Sequence, residues 1–334
     1  MKNDILYSIR NLTVEYQTRV SPLRAVDDVS LDIKRGEILG LVGESGCGKS
    51  TLGKALMRLH TGPARITSGE LWFDGTDLMT LSPRQMRELR GARLGMIFQD
   101  PMTSLNPVQR IVDHLTETML THGDWSEKQA RQRAEELIET LGIRRERIDD
   151  YPHQMSGGMR QRVMIALALA LNCDLVIADE PTTSLDVIVE ATFLDLLKDL
   201  QREFDLTILL ITHNIGVVAE VADRVAVMYA GRMAEVGDVH EVFAEPKHPY
   251  TQGLLRSVPN IELDAGDLYK MQGAPPNLLA PPTGCRFHPR CPYVMDICPI
   301  EEPAFDPVAD GSPIPHKAAC WLYQEHPETA DIHV

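Results

Sequence analysis

The run Gly43-Glu44-Ser45-Gly46-Cys47-Gly48-Lys49-Ser50-Thr51 concentrates the groups that hold a phosphate. Glycines let consecutive backbone N–H groups turn toward one anion, and a helix starting there adds its positive dipole end. The pattern G-x-x-x-x-G-K-[ST] is met by Gly43, Gly48, Lys49 and Ser50. Lys49 can reach the β- and γ-phosphates of a nucleotide, and Ser50 can offer its hydroxyl to Mg²⁺. Two carboxylates, Asp179 and Glu180, close a later apolar run. An acid at such a position can hold Mg²⁺ through water, and its neighbour can polarise a water for attack on the γ-phosphate. A third group, Ser156-Gly157-Gly158, precedes the apolar stretch Val163–Leu171. A serine N-cap with two glycines at a helix entry leaves exposed N–H groups, which make another anion site.

These groups act only if regular elements hold them in place. Glu37–Val42 is an apolar run of strand length, and Ser50–Leu59 has helical spacing with good helix formers. Strand, glycine loop and helix is the context in which the loop becomes a phosphate cradle. Leu175–Ala178 predicts a second buried strand that ends at the carboxylate pair. From Pro101 to Tyr151 the chain is polar and helix-like, and Glu127–Leu141 alternates charge with apolar positions at helical spacing. The strand-helix pattern predicts an α/β core.

At 334 residues the chain is long enough for one large domain or two to three smaller ones. Hydrophobic content of 43% and charged content of 24% are ordinary for a globular protein. A formal net charge of −15 argues against general affinity for nucleic acid, because phosphate backbones are bound through clustered Lys and Arg. The opening residues lack an apolar core of signal-peptide length, and no apolar run approaches the roughly 18 residues that span a bilayer. A cytoplasmic location is expected, with any membrane role exercised through a partner.

Six cysteines are unevenly spread: Cys47 and Cys173 stand alone, while Cys285, Cys291, Cys298 and Cys320 crowd into the tail. The tail from Pro275 onward is proline-rich and aperiodic, which marks it as a separate appendage. Its spacing is C-x5-C-x6-C-x21-C, with proline directly after Cys291 and Cys298. Four thiolates in a short irregular segment of a reducing compartment suggest a metal rather than disulfides. Zinc and iron–sulfur both accept four cysteines, and the spacing matches neither the common zinc-ribbon pairs nor the bacterial ferredoxin run. His288 and His316 lie nearby and are not expected as ligands.

Met155-Ser156-Gly157-Gly158-Met159-Arg160-Gln161-Arg162 resembles the signature of ATP-binding-cassette (ABC) ATPases, usually Leu-Ser-Gly-Gly-Gln. Further motifs agree in order across roughly residues 5–240: Tyr16, the glycine loop, Gln99 after Phe98, Asp179-Glu180, Ser184-Leu185-Asp186 and Thr212-His213. Met155 and Met159 depart from the usual leucine and glutamine without removing Ser156 or the Gly158 N–H. The variant Ser-Gly-Gly-Met-x-Gln-Arg-Val is familiar among peptide-importer ATPase subunits. His248-Pro-Tyr-Thr-Gln-Gly-Leu-Leu255 and the four cysteines resemble the dipeptide, oligopeptide and nickel importer branch.

That resemblance implies a P-loop NTPase core of RecA-like type, with an antiparallel β subdomain, an inserted helical subdomain and a small irregular C-terminal metal-cluster domain. The nucleotide-binding core would span residues 1–100 and 156–245, the helical subdomain 101–155 and the tail 246–334. Tyr16 would stack on adenine, Gly43–Thr51 would hold ATP, and Asp179, Ser50 and Gln99 would serve Mg²⁺. Glu180 would be the base, His213 would contact the γ-phosphate, and Gln99 would link the site to the transport subunit. Ser156, Gly157 and Gly158 would cap an ATP held by a second cassette, and Asp186 would carry information between the two.

The implied partners are a second ABC ATPase subunit, usually a non-identical paralogue, two transmembrane permease subunits and an extracytoplasmic solute-binding protein. The chain would sit peripherally on the cytoplasmic face of the membrane. Asp100–Pro107 would be the strip that meets a permease. The cysteines would hold a [4Fe–4S] cluster of structural role, with zinc or unliganded thiols as the alternatives. Peptide cargo is expected, with oligosaccharide or nickel cargo, or a non-transport ABC ATPase, as the competing readings.

Overall fold

The computed structural model describes residues 4–60, 62–99, 104–183, 185–257, 271–308 and 315–324. Ser184 and Asp100–Thr103, part of the expected permease strip, lie outside the described residues. The strands in chain order are β1 (Ile5–Tyr16), β2 (Leu23–Lys34), β3 (Ile38–Val42), β4 (Ala64–Phe73), β5 (Thr76–Asp77), β6 (Leu94–Ile97) and β7 (Leu175–Asp179). They continue as β8 (Thr207–Thr212), β9 (Arg224–Tyr229), β10 (Arg232–Asp238), β11 (Asp306–Pro307) and β12 (Lys317–Ala318). The α-helices are α1 (Lys49–Leu56), α2 (Pro83–Ala92), α3 (Ile111–His122), α4 (Glu127–Thr140) and α5 (Gly157–Leu169). The last four are α6 (Val187–Phe204), α7 (Ile215–Val221), α8 (Val239–Ala244) and α9 (Pro249–Arg256).

The chain divides into two compact bodies. The first gathers Met1–Leu6, Ile33–Ile38 and Asp77–Ile211; the second gathers Tyr7–Asp32, Leu39–Thr76 and Thr212–Val334. In the first body β6, β7 and β8 run parallel in that order, with Ile97 opposite Ala178 and Asp179 opposite Ile211. Every residue of β6 and β7 is buried. Continuous burial is what a parallel strand covered on both faces requires, and it explains the unbroken apolar runs.

Helices α3 and α4 form the polar segment that the sequence marks as helical. Ser126 caps α4 by accepting the Gln129 N–H, and Gln129 returns the bond as a capping box. Ala130, Ala134, Leu137 and Ile138 are the buried stripe of α4, at the spacing of one helix face. Helix α5 is different. Val163, Met164, Ile165, Ala166, Ala168 and Leu169 are all buried, so it is apolar around most of its circumference and lies within the core of its body.

The second body carries two sheets. One is antiparallel, in the order β2-β1-β4-β5, with Tyr7 opposite Phe73 and Tyr16 opposite Ala64. In the other, β3 pairs parallel with β9, β9 antiparallel with β10, β10 with β12 and β12 with β11. The proline-rich tail is therefore less detached than its composition suggests. Its Ala318 sits opposite Glu235 of β10, and Phe287, His316 and Ala318 are buried. A segment with few apolar residues of its own gains backbone partners and a hydrophobic seat by adding to an existing sheet edge. Among the described residues no helix is long and apolar enough to cross a membrane.

Candidate functional site

Strand β3 delivers the glycine loop. Gly43 has φ +157° and Gly48 φ +111°. A Cβ built on Gly43 would stand 2.2 Å from the Met228 carbonyl oxygen, and one on Gly48 would stand 2.1 Å from the Ala25 carbonyl oxygen. Both positions need glycine for conformation and for room. Gly48 is the N-cap of α1 and, having no side chain, makes no capping hydrogen bond there. The N-terminal N–H groups and dipole of α1 are thus presented to an anion.

Lys49 is 4% exposed, and its Nζ donates to the carbonyl oxygens of Gly43 at 2.7 Å and Glu44 at 3.1 Å. The ammonium is folded back over its own loop. Cys47 is also buried, and burial pushes its thiol up despite the neighbouring Lys49. The hydroxyls of Tyr16 and Thr51 are 3.1 Å apart, which ties the end of β1 to the first turn of α1. Tyr16 is only partly buried, so ring area remains for a planar partner. His213, the residue after β8, belongs to the second body and is exposed.

In the first body the carboxylate pair sits at the end of β7. Asp179 is the last strand residue and is 4% exposed. Glu180 leaves the strand in the left-handed region, with φ +47°, and its N–H donates to the Ile211 carbonyl at 2.8 Å. Such a φ costs a non-glycine residue about 1 kcal/mol. Its Oε2 accepts from Gln99 Nε2 at 3.2 Å and from Thr183 Oγ1 at 3.0 Å. Thr183 carries no signal in the sequence that would single it out. Its role follows only from the turn after β7.

The third group also lies in the first body. Ser156 is the N-cap of α5, as its type predicts, and its Oγ accepts the Met159 N–H at 3.3 Å. Asp186 caps α6 in the same manner, accepting the Val189 N–H at 3.0 Å. A cleft of about 430 Å³ opens between these two helix starts, lined by Ser156, Gly157, Gly158, Met159, Asp186 and Phe193 among others. Gln161, one turn into α5 and 2% exposed, donates to the carbonyl of Pro181 directly after Glu180.

The tail cysteines do not form the ready metal centre that their number suggests. Among the described residues no group of three or more His, Cys, Asp or Glu converges on a single ion. None of the four forms a disulfide. The Cys285 N–H donates to the Cys298 carbonyl at 2.8 Å, so the loops bearing them are joined. Burial, with the other thiols adding to it, pushes Cys285 and Cys320 up to about 12 and Cys291 up to about 11. His316 is engaged elsewhere: its Nε2 is 2.7 Å from Glu235 Oε1, both groups buried. His288 Nδ1 lies 2.9 Å from the Cys285 carbonyl oxygen.

Sequence reasoning missed the partner of Glu44. Arg290, between two of the tail cysteines, holds that carboxylate with both Nη atoms at 2.7 and 2.9 Å. A carboxylate in a phosphate-binding loop places negative charge beside a polyanion, and a cationic partner offsets it; that much the sequence offers. Which arginine supplies it, the sequence does not say.

Comparison with known proteins agrees with this arrangement. Residues 26–183 match the ABC transporter family, and residues 234–298 match the family described as oligopeptide/dipeptide transporter, C-terminal region. The chain is 47% identical over 326 residues to the dipeptide transport ATP-binding protein DppD of Bacillus subtilis (strain 168), covering 97% of this chain and 96% of that protein. It is 44% identical over 310 residues to the oligopeptide transport ATP-binding protein OppD of Salmonella typhimurium, covering 91% and 92%. Among solved structures, a dimeric ATP-binding cassette in a post-hydrolysis state with ADP and Pi superposes with a TM-score of 0.63 at 28% identity, over 70% of this chain and 98% of that one. The glycine loop, the capped signature helix and near full-length identity lead to one family: the chain belongs to the ABC transporter ATPases, among the ATP-binding subunits that carry the oligopeptide/dipeptide C-terminal region.

Proposed function

We propose that this chain hydrolyses ATP to energise the uptake of di- and oligopeptides, as a peripheral subunit on the cytoplasmic face of the membrane. The observation that carries this reading is near full-length identity of 47% to a dipeptide transport ATP-binding protein, combined with an intact phosphate loop. Residues 1–100 and 156–245 serve as the nucleotide-binding core, 101–155 as the helical subdomain and 246–334 as the tail.

Each role follows from local chemistry. Backbone N–H groups within Gly43–Thr51 take up phosphate oxygens at the start of α1, and Lys49 exchanges its loop carbonyls for the β- and γ-phosphates. Tyr16 offers a ring face to adenine. Glu180 accepts a proton from the attacking water, and Gln99 and Thr183 keep its carboxylate turned toward that task. His213, at the exposed end of β8, contacts the γ-phosphate. Ser50, Gln99 and Asp179 present hard oxygen donors of the kind Mg²⁺ prefers, and they would hold it. The ion would neutralise charge on the β- and γ-phosphate oxygens.

Ser156 and Gly158 supply donors to an ATP bound by a second cassette, and the cleft beside them gives that phosphate end room. A cassette of the same fold is dimeric with ADP and Pi bound, which supports pairing through nucleotide. The second ATPase is a paralogue, the cargo path is made by two permeases, and an extracytoplasmic solute-binding protein delivers the peptide.

Cys298 and Cys320 are buried and Cys285 and Cys291 partly so, and four cysteines are the donor set that a [4Fe–4S] cluster takes. Cys285, Cys291, Cys298 and Cys320 would hold it, and it would supply cross-links to a segment poor in apolar residues.

Uptake of a labelled dipeptide, in cells lacking this chain and complemented with the native or Lys49→Ala form, tests the reading. Restored uptake with the native form alone supports it. Uptake that is indifferent to the chain, or restoration only of nickel or oligosaccharide transport, overturns the peptide assignment.

A further inference from the structure

The loop from Cys285 to Cys291 does more than join two cysteines. Its Arg290 is one of the most fully engaged arginines among the described residues. Nη1 and Nη2 donate to the two carboxylate oxygens of Glu44, Nη1 also meets the Tyr229 hydroxyl at 3.2 Å, and Nε donates to the Gln272 carbonyl at 3.0 Å. The guanidinium lies over the rings of Tyr229 and Phe287, 5.8 and 6.0 Å from their centroids. Its side chain is 5% exposed, against 25% for Glu44.

Glu44 is the first residue after Gly43 in the phosphate loop. Three of its groups are held at once. The carboxylate sits in the Arg290 fork, the N–H donates to the Tyr250 hydroxyl at 2.8 Å, and the carbonyl accepts from Lys49 Nζ and from the Cys47 N–H. Tyr250 is fully buried on α9, its ring packed at a tilt against those of Tyr229 and Phe287. The same cysteine loop is anchored at its other end, where Arg286 donates to Asp27 and to the Ala230 carbonyl.

We propose that Arg290 is a positioning residue for ATP binding: it fixes Glu44, and through Glu44 the backbone of the phosphate loop, and it cancels a carboxylate charge that would otherwise face the triphosphate. This rests on the reading that Gly43–Thr51 binds the phosphates. A loop held in its binding conformation before ligand arrives loses less entropy on binding, and a bidentate fork fixes orientation as a single ammonium cannot. An unneutralised carboxylate beside a polyanion repels it, and the repulsion is strong in a partly dry site.

The test is a double-mutant cycle on the full chain, with Mg-ATP affinity read by displacement of a fluorescent ADP analogue. Arg290→Met should weaken Mg-ATP binding roughly tenfold, with the ATP KM of the assembled transporter rising in step and kcat nearly unchanged. Arg290→Lys, which keeps the charge and loses the fork, should recover part of the loss. Arg290→Met combined with Glu44→Gln should bind no worse than Arg290→Met alone, because the unpaired charge is gone. Affinity within twofold of native for both Arg290 variants, at a melting temperature that shows them folded, overturns the proposal. Strictly additive losses in the cycle also overturn it. Lys49→Ala is the reference: if it too leaves affinity unchanged, the phosphate-loop reading itself has failed, separately from the role of Arg290.

Discussion

Gln99 Nε2 donates to Glu180 Oε2 across 3.2 Å, and Thr183 Oγ1 reaches the same oxygen at 3.0 Å. The carboxylate that family resemblance assigns as the base is therefore oriented by an amide from the end of β6 and a hydroxyl from the following turn. A base whose orientation is fixed before substrate arrives needs no reorganisation in the transition state.

Replacement of Glu180 by Gln should leave ATP affinity within about threefold and cut phosphate release by at least about a hundredfold. The isosteric amide cannot take the proton. Turnover retained at native level would remove Glu180 as the base. The left-handed φ of +47° gives a second readout. Glu180→Gly should be more stable than Glu180→Ala by about 1 kcal/mol, the reverse of the usual order in regular structure. Chemical denaturation of the two variants measures it.

The glycines of the phosphate loop should differ sharply in tolerance. At Gly48 a methyl group would meet the Ala25 carbonyl at 2.1 Å and also demand φ +111°. Gly48→Ala should cost more than about 2 kcal/mol and abolish ATP binding. At Gly46, φ is +80° and a methyl group would meet nothing within 4 Å. Gly46→Ala should cost only about 1 kcal/mol. Equal melting temperatures for the two variants would contradict this account of the loop.

His248 predicts a pH dependence of stability. Burial lowers it to about 4, against opposing effects from Glu235 and a backbone bond involving Ala319. Its Nδ1 accepts the Tyr250 N–H at 3.0 Å, an acceptor role that the neutral ring fills. The sign follows from linkage. Between about 6.5 and about 4 the unfolded chain binds a proton at this site and the folded chain does not. Stability is full above that window and is lost as pH falls through it, by about 3 kcal/mol at the limit. Urea midpoints at pH 7.5 and pH 5, for the native chain and His248→Asn, should show a smaller acid-side drop in the variant. An identical slope would exclude His248 as its source.

Iron content tests the tail. Anaerobically purified chain should be brown and carry about four irons, and Cys291→Ser should lose iron together with tail protection against protease. Colourless, iron-free protein of full ATP affinity would refute the cluster.

Much of this is legible in the amino-acid sequence. The strand-loop-helix at Gly43–Thr51, the stripe of α4 and the Ser156 cap follow from local rules of spacing and capping. The left-handed turn at Glu180 and the hydroxyl of Thr183 did not, because both depend on where β8 lies beside β7. The composition of the tail pointed to a detached appendage, whereas Ala318 completes a sheet through β10. Composition reports how much apolar surface a segment owns, and it is blind to the surface and the backbone partners that a neighbour lends.

The interleaving of the two bodies has a consequence for biosynthesis. Asp77–Ile211 supplies most of the first body as one continuous stretch, so that unit can close while the ribosome is still at work. The second must wait. Strand β3, which carries the glycine loop, pairs with β9 at Arg224–Val227, and the Glu44 clasp needs residues as late as Arg290. The glycine loop therefore acquires the partner of its Glu44 carboxylate only after a residue 246 positions later in the chain has emerged.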